Sequence, residues 1–557
     1  MKKIKSLLCV VLAVVMVLSL AACGGKDSGS ASNAGSSSGS DSSAPAPTPN
    51  TENDHPDSTA IENEEGRIRV RIGGTGSLGR FLGGVAPEEN HSACNAVFDT
   101  ILRRDPWTMR VKSDCLEDWY WEDENHFVMK LKDGVMFSNG TKATAEDVIF
   151  SYYSHEERGS NYLNDLYIDF DKTEARDELT AVFYVTQQNQ RMAETGFMLI
   201  SKAWAREVGW DSELWYTPVT SGPYECVEYV HDDYMVLRLR EDYWGGSDQY
   251  YVEEYLWKLY PDSTTLFMEL ELGNIDLCSI PNADYSRFLK SGDTSNGINV
   301  CMNSTGSTLY ANFGFKDNDI WYNKTLREAI AHAVNWDELG QLMMGDLYSW
   351  NNGFAALDGP SYYDAGTWEY NPDMAKELLA QCGYDASNPL TVQACLMDNP
   401  LYKNFGQGIT FYLENVGVIC DFQYADVSAS IANWIVPGGN DINLMYSPSG
   451  NARKDVRGTL SQAAIFPGVS FTFIDEPHFQ ELYAKLADPK TSQEELWDTD
   501  HEIQQWIFDE ALAMPICEYN AAFGYNSNLL SPEIFTPICF AERYMLRDLA
   551  LKTTWGK

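Results

Sequence analysis

The sequence predicts an α/β protein with more than one domain. Segments whose apolar residues alternate with period two are interleaved with segments whose apolar residues recur every three to four positions. The stretch from 64 to 557 is too long for one hydrophobic core, so two or three domains are expected. Over 220–277 the order is strand, strand, helix, strand, which belongs to a packed α/β domain and not to a repeat array.

The amino terminus carries an address. Lys2, Lys3 and Lys5 precede an apolar run from Leu7 to Leu20. That run is short for a spanning helix, which needs about 20 residues. Leu20-Ala21-Ala22-Cys23 follows and reads as a lipobox. Residues 1–22 are expected to be a signal peptide, with Cys23 diacylated after cleavage. Each buried CH₂ contributes about 0.8 kcal/mol, so two chains hold far longer than one. Residues 23–63 are rich in Ser, Gly, Ala and Pro and read as a flexible tether. Its root-mean-square reach is roughly 30 Å. The expected location is the outer face of the cell membrane.

Arg67 to Ile72 alternates and predicts the first strand. The following GGTGSLG lacks the Lys-Ser/Thr of a phosphate loop, so it reads as a turn beside a ligand cleft. Phe127, Met129 and Leu131 alternate with His126, Val128 and Lys130 as a half-buried strand. Asp133-Gly134 predicts a turn, with Val135-Met136-Phe137 returning as the second strand. Thr144 reads as an N-cap, with Glu146 and Asp147 placed where the helix dipole favours carboxylates. Gly222-Pro223 and Gly245-Gly246 are turns, Ser263 to Leu272 is a helix, and Ile275-Asp276-Leu277 is a short buried strand.

Leu326, Ala329, Ile330, Ala333 and Val334 form a core-facing helical stripe. His332 inside it reads as a structural residue. Asn371-Pro372 starts another helix, with a stripe of Met374, Ala375, Leu378, Leu379 and Cys382 and a stop at Gly383. Ser492 to Glu495 is a capping box. The helix it opens carries Ile503, Trp506 and Ile507 and leads to Ala513-Met514-Pro515-Ile516.

Composition narrows the function. The net charge of −41 repels phosphate backbones and makes nucleic acid a poor partner. Ten cysteines remain without Cys9 and Cys23; they are scattered, with no C-x-x-C, and read as small buried hydrophobes and not a metal cluster. The 16 Trp and 31 Tyr offer stacking surfaces for peptides or sugars. There is no H-E-x-x-H, no G-x-S-x-G and no GKS/GKT, so no catalytic residue, metal or cofactor is expected.

Several segments together resemble extracellular solute-binding protein family 5, the dipeptide, oligopeptide and nickel receptors of ABC importers. They are CLEDWYW, KLKDGVMFSNGT and TAEDVIFS within 115–151; TSGPYECVEYV, LREDYWGG, YPDSTT and LGNIDL within 220–277; LYANFGFKDNDIWYNKTLREAIAHAVNWDELGQLMMG; and YNPDMAKELLAQCGYD. The resemblance implies a periplasmic-binding-protein-like two-lobed α/β fold, cluster C type, with an extra domain. By that analogy lobe I combines 64–110, 218–308 and 508–557, the extra domain is 111–217, and lobe II is 309–507. The ligand is held between lobes that close by hinge motion, and the closed form docks on a permease served by ATPase subunits. A monomeric receptor is expected.

Peptide-binding members carry an Asp in a "G-W-x-x-D-Y-x-D-P" run that pairs with the peptide's amino terminus. The comparable stretch is NDINLMYSPSGNARKDV, from Asn440 to Val456. Tyr446 to Asn451 stands where the Trp and the Asp are expected, and Asp455 comes a few residues late. Arg453 and Lys454 attract a carboxylate and repel an ammonium. The candidate ligand residues are Tyr446, Asn451, Arg453 and Asp455 from the second lobe, Ser77 and Arg80 from the first, and Trp350 and Tyr362 for stacking. A peptide is the expected ligand. An oligosaccharide, which needs no amine-binding Asp, is the alternative, as is a sensor lipoprotein signalling to a membrane kinase.

Overall fold

The computed structural model describes residues 66–75, 78–82, 91–108, 110–159, 163, 166–188, 190–291, 296–315, 319–426, 429–430, 433, 439–445, 456, 477–488, 490–531, 539–540 and 543–556. The signal peptide, the tether and Cys23 lie outside them.

Strand β1 (Ile68–Gly74) buries Ile68, Val70 and Ile72, as its alternation requires. Helix α1 (His91–Val97) follows. The chain then builds a small antiparallel sheet from β2 (Leu116–Trp121), β3 (His126–Leu131) and β4 (Thr180–Tyr184), with the two-residue strand Glu174–Ala175 at its edge. Helix α2 (Ala145–Glu157) opens with a capping box between Thr144 and Asp147.

Here one expectation is corrected. The partner of β3 is Leu116–Trp121, before it, and not Val135–Phe137, after it. Val135 and Phe137 are buried in a tight turn closed by Phe137 N–H to the Thr141 carbonyl and Ala143 N–H to the Val135 carbonyl; only Met136 forms a bridge, with Lys142. The strand-forming potential of Trp119, Tyr120 and Trp121 was masked by acidic neighbours that face solvent.

Helix α3 (Lys202–Val208) leads to β5 (Tyr224–Val230), β6 (Tyr234–Leu239) and β7 (Val252–Leu259). Helix α4 (Ser263–Glu271) is capped by Asp262, and β8 (Leu277–Ile280) starts later than expected. Asp276, directly before it, still bonds both neighbouring strands, its N–H donating to the Arg71 carbonyl at 2.8 Å and its carbonyl accepting from Asn526 N–H at 2.8 Å, while its carboxylate takes the backbone N–H and the guanidinium of Arg71. After α5 (Asn282–Ser291) comes β9 (Ile298–Phe313), the longest strand.

Helices α6 (Lys324–Ala333) and α7 (Trp336–Met344) follow; the expected stripe of α6 is buried throughout, and His332 hydrogen-bonds the Glu369 carbonyl. Helix α8 (Pro372–Gln381) is capped by Asn371, but Met374 is exposed and only Ala375 and Leu379 of its expected stripe are fully buried. Strands β10 (Thr391–Met397) and β11 (Ile419–Ala425) pair in parallel across α9 (Pro400–Asn415). Then come β12 (Ile442–Met445), α10 (Pro477–Ala487), α11 (Gln493–Asp509), β13 (Ala513–Asn526) and α12 (Leu546–Ala550).

The main sheet has eight strands in the order β12-β9-β13-β8-β1-β7-β6-β5. Among the described residues three hydrophobic cores are present. One is built from residues within 68–98, 200–277 and 521–550 together with Phe150, a second from residues within 101–199, and a third from residues within 266–522. The antiparallel pair β9/β13 connects the first and third: β13 gives Ala513, Met514, Ile516 and Cys517 to one and Phe523 and Tyr525 to the other. Buried on both faces, it reads as a nearly continuous apolar strand. Cys94, Cys115, Cys226, Cys278 and Cys517 are buried apolar side chains.

Candidate functional site

Midway along β9/β13 the register shifts between Ser304 and Ser307. This β-bulge contains Gly306, whose φ of +77° suits glycine. The Gly306 N–H donates to Ser304 Oγ at 3.0 Å, and Thr305 Oγ1 donates to the Tyr519 carbonyl at 2.7 Å. The bulge lies where the two strands pass from one core to the next.

Against it lies a segment, 348–371, that forms neither helix nor strand. Irregular connections of this length inside a folded body are uncommon and usually functional. Its stretch 351–356 and Ser361 are also buried: Asn351, Phe354, Ala355, Ala356 and Ser361 are nearly inaccessible. The backbone there cannot reach water, so side chains must satisfy it. Asn351 Oδ1 accepts from Gly353 N–H at 2.8 Å, and Asn351 Nδ2 donates to the Ala355 carbonyl at 2.9 Å. Gln504 on α11 accepts from Phe354 N–H at 2.9 Å and donates to the Ser361 carbonyl at 2.8 Å. One turn earlier on the same helix face, Asp500 accepts from Ser361 Oγ.

On β13, the Glu518 carboxylate accepts from Ser304 Oγ, from Asn351 Nδ2 at 2.6 Å and from Leu357 N–H at 3.3 Å. Burial pushes Glu518 up to about 7 from the ordinary carboxylate value; Ser304 and Asn351 oppose that rise, and Asp358 adds to it.

The candidate residues divide as follows. Trp350 and Tyr362 lie on segment 348–371; Trp350 packs on the third core, and the Tyr362 hydroxyl donates to Asn352 Oδ1 at 2.8 Å. Arg80 lies elsewhere, its Nη1 donating to the Trp210 carbonyl at 3.1 Å. Ser77, Tyr446, Asn451, Arg453 and Asp455 fall outside the described residues. Their approach is defined up to Met445, which pairs with Tyr310; Tyr310 in turn packs edge-on against Phe354 with ring centroids 5.4 Å apart. Segment 348–371 and the end of β12 thus meet at Tyr310.

Asp441 anchors the start of β12, accepting from Trp321 Nε1 at 3.0 Å and from Gln393 N–H at 2.8 Å. Sequence reasoning missed Ser304, Asn351, Gln504 and Glu518. A lone carboxylate in the apolar run PICEYNAAFGY was the available signal for Glu518. Among the described residues no cluster of His, Cys, Asp and Glu is placed to hold a metal ion, and no helix is long and apolar enough to cross a membrane.

A mixed eight-stranded sheet thus joins separate cores, with a side-chain-held irregular segment at the junction. Residues 110–446 match the model for bacterial extracellular solute-binding proteins, family 5 (Middle), and the chain belongs to that family. It is accordingly a solute-binding protein and not an enzyme.

The oligopeptide-binding protein AppA of Bacillus subtilis is 24% identical over 345 residues, 58% of this chain and 60% of AppA; the alignment therefore spans less than two thirds of that relative. The ABC-transporter substrate-binding protein CtaP of Listeria monocytogenes shares the fold, with a TM-score of 0.70 and 22% identity over 87% of this chain and 99% of that one. The structure of Bacillus subtilis AppA in complex with a nonapeptide shares it with a TM-score of 0.61 and 17% identity, over 86% of this chain and 98% of that one.

Proposed function

We propose that this protein is the lipid-anchored extracellular receptor of an ABC importer, binding peptides between two lobes and delivering them to a permease driven by ATPase subunits. The observation that carries this reading is the fold shared, over 86% of the chain, with a protein solved around a nonapeptide. Lobe I combines 64–110, 218–308 and 508–557, lobe II is 309–507, and 111–217 is the extra domain. The pair β9/β13 is the hinge. Ligand contacting both lobes favours the closed state by its differential affinity. Segment 348–371 and loop 446–455 supply the second lobe's side of the cleft, with Trp350 and Tyr362 stacking on ligand. Ser77 faces them from lobe I, where Arg80 is held by the Trp210 carbonyl. Arg453 suits a peptide carboxylate, so recognition of the carboxyl end or of a modified amine takes the place of the missing Asp.

The test is a thermal-shift screen with peptides and oligosaccharides side by side. A peptide present at 100 times its Kd stabilises the protein by about 2.7 kcal/mol, a clear rise in Tm. A rise with oligosaccharides alone, or with Ni²⁺ or haem alone, would remove peptides as the cargo. The anchor has its own test. Cells fed labelled palmitate incorporate it into the wild type, and Cys23→Ala abolishes the label. Label retained by the variant places the acyl chains elsewhere.

A further inference from the structure

Residues 78–82 follow β1, which runs parallel to β7 and to β8. They lie beyond its carboxyl end, the place where open α/β sheets bind ligands. They form neither helix nor strand, so no ladder of their own fixes them. Leu78, Phe81 and Leu82 are buried in the first core. Four polar contacts from residues distant in the chain set the course of the backbone. The Tyr229 hydroxyl donates to the Leu78 carbonyl at 2.5 Å, and Arg80 Nη1 donates to the Trp210 carbonyl at 3.1 Å. Phe81 N–H donates to the Trp215 carbonyl at 2.8 Å, and Arg158 Nη2 donates to the Leu82 carbonyl at 2.6 Å.

Three of these contacts lead back to α2. Arg158, directly after that helix, places its guanidinium 4.2 Å from the centroid of the Trp210 ring. Glu157 accepts from Trp210 Nε1 at 3.0 Å. Phe150, about two turns earlier on α2, stacks on the same ring with centroids 6.0 Å apart and planes at 7°. Trp210 stacks in turn on the buried Trp215, at 5.0 Å and 19°. An indole gripped at its faces and at its N–H cannot slide without losing several contacts at once. The carbonyls of Trp210 and Trp215, and Arg158 itself, then hold Arg80, Phe81 and Leu82. Other buried residues of α2, such as Val148 and Tyr152, belong to the second core, so the position of 78–82 is tied to the unit at 101–199.

Building on the reading that the turn after β1 faces ligand from lobe I, we propose that Arg158 is a positioning residue for ligand binding. It acts through the Leu82 carbonyl and the Trp210 ring, and it makes the unit at 101–199 set the first lobe's side of the cleft. Arg80, read from the sequence as a ligand residue, is an anchor of the same turn. A charged donor on a carbonyl and a cation over an indole are among the stronger polar contacts, and one side chain supplies both.

Arg158→Met tests this, because it keeps the length of the side chain and removes both contacts. The reporter is the Phe81 amide, followed by hydrogen exchange of the full protein without ligand. Its protection should fall roughly tenfold, the loss of one charge-assisted hydrogen bond, while the amides of β1 keep theirs. Arg206→Met is the control. It removes the pair with Glu157 at 2.6 Å and the cation 4.9 Å from the Phe150 ring, and among the described residues Arg206 makes no bond to 78–82. Phe81 should be as protected there as in the wild type. Arg158→Lys keeps a cation without the planar fork, should fall between the two, and serves if the methionine variant does not fold. Unchanged Phe81 protection in Arg158→Met overturns the proposal. An equal fall in Arg206→Met also overturns it, because it marks general loosening of α2.

A tryptic casein digest is titrated in parallel. Arg158→Met should bind it roughly fivefold more weakly, because part of the population no longer holds the competent turn, and Arg206→Met should match the wild type. Lower protection with unchanged affinity overturns the positioning role. A digest that the wild type does not bind removes the peptide reading, and the exchange result then decides alone whether Arg158 holds 78–82.

Discussion

Arg547→Ala is expected to lower folding stability by about 3–5 kcal/mol, the cost of leaving buried charges without their partner. It should appear as a large fall in the midpoint of urea unfolding. Arg547 on α12 reaches back across the chain, donating from Nη1 to Asp99 Oδ1 at 2.7 Å and from Nη2 to the Tyr243 hydroxyl at 2.6 Å. The same nitrogen, Nη1, lies 3.2 Å from Asp114 Oδ2. Arg103 completes the cluster, meeting Asp114 at 2.9 Å and gripping Asp548 with both terminal nitrogens at 2.8 and 3.2 Å. Asp99 and Asp548 are fully buried. The cluster joins the carboxyl-terminal helix to residues from both the first core and the unit at 101–199.

Removing Arg547 leaves Asp99 and Asp114 facing each other without the cation between them. Burial already raises the Asp99 carboxyl above its ordinary value, with Arg547 opposing the rise. Without that opposition the folded-state pKa climbs further, so the variant takes up protons that the unfolded chain does not. Its deficit should therefore shrink as pH falls and be greatest at alkaline pH. Asp99→Asn in the same background should recover part of the loss by removing one uncompensated charge. A deficit under about 1 kcal/mol at pH 8 would mean that the cluster is not held together by Arg547.

Local features were legible and distant ones were not. The Thr144 N-cap, the capping box at Ser492, the Asn371 cap and the buried stripe of α6 rest on residues a few positions apart, and all four formed. Strand β2 was missed because its exposed face carries Glu117 and Asp118 among the aromatics, which hides the alternation. The contacts that build the site join residues far apart: Glu518 to Ser304 across 214 positions, and Phe354 to Gln504 across 150. No periodicity encodes such pairs. The family was readable because its motifs lie in turns and helix starts, where a few residue types are obligatory. Trp350 and Tyr362 were found because large aromatics stand out; Asn351 and Gln504, which hold their segment in place, do not.

Gly314→Ala is expected to cost about 3 kcal/mol, at the upper end for inserting a methyl into a packed site, and to impair ligand binding as well. A Cβ at Gly314 would sit 1.8 Å from the Asn440 carbonyl oxygen, so one of the two backbones must move. Neither is free to do so. Gly314 N–H donates to the Asp441 carbonyl at 3.0 Å directly after the pair Phe313–Ile442, which fixes it to β12. On the far side Asn440 Oδ1 accepts from Cys395 N–H at 2.8 Å, and Asp441 N–H donates to the Gln393 carbonyl at 2.8 Å. The turn at 440–441 is wedged between β9 and β10. The extra methyl must push β12 away from β9, shifting Met445 and with it the entry to 446–455. Urea unfolding reads the stability cost. Titration with the peptides that raise the wild-type Tm reads the second effect, at a temperature where the variant remains folded. A variant within 0.5 kcal/mol of wild type would show that the two backbones are not so close. A variant that is destabilised but binds with unchanged affinity would separate the wedge from the cleft.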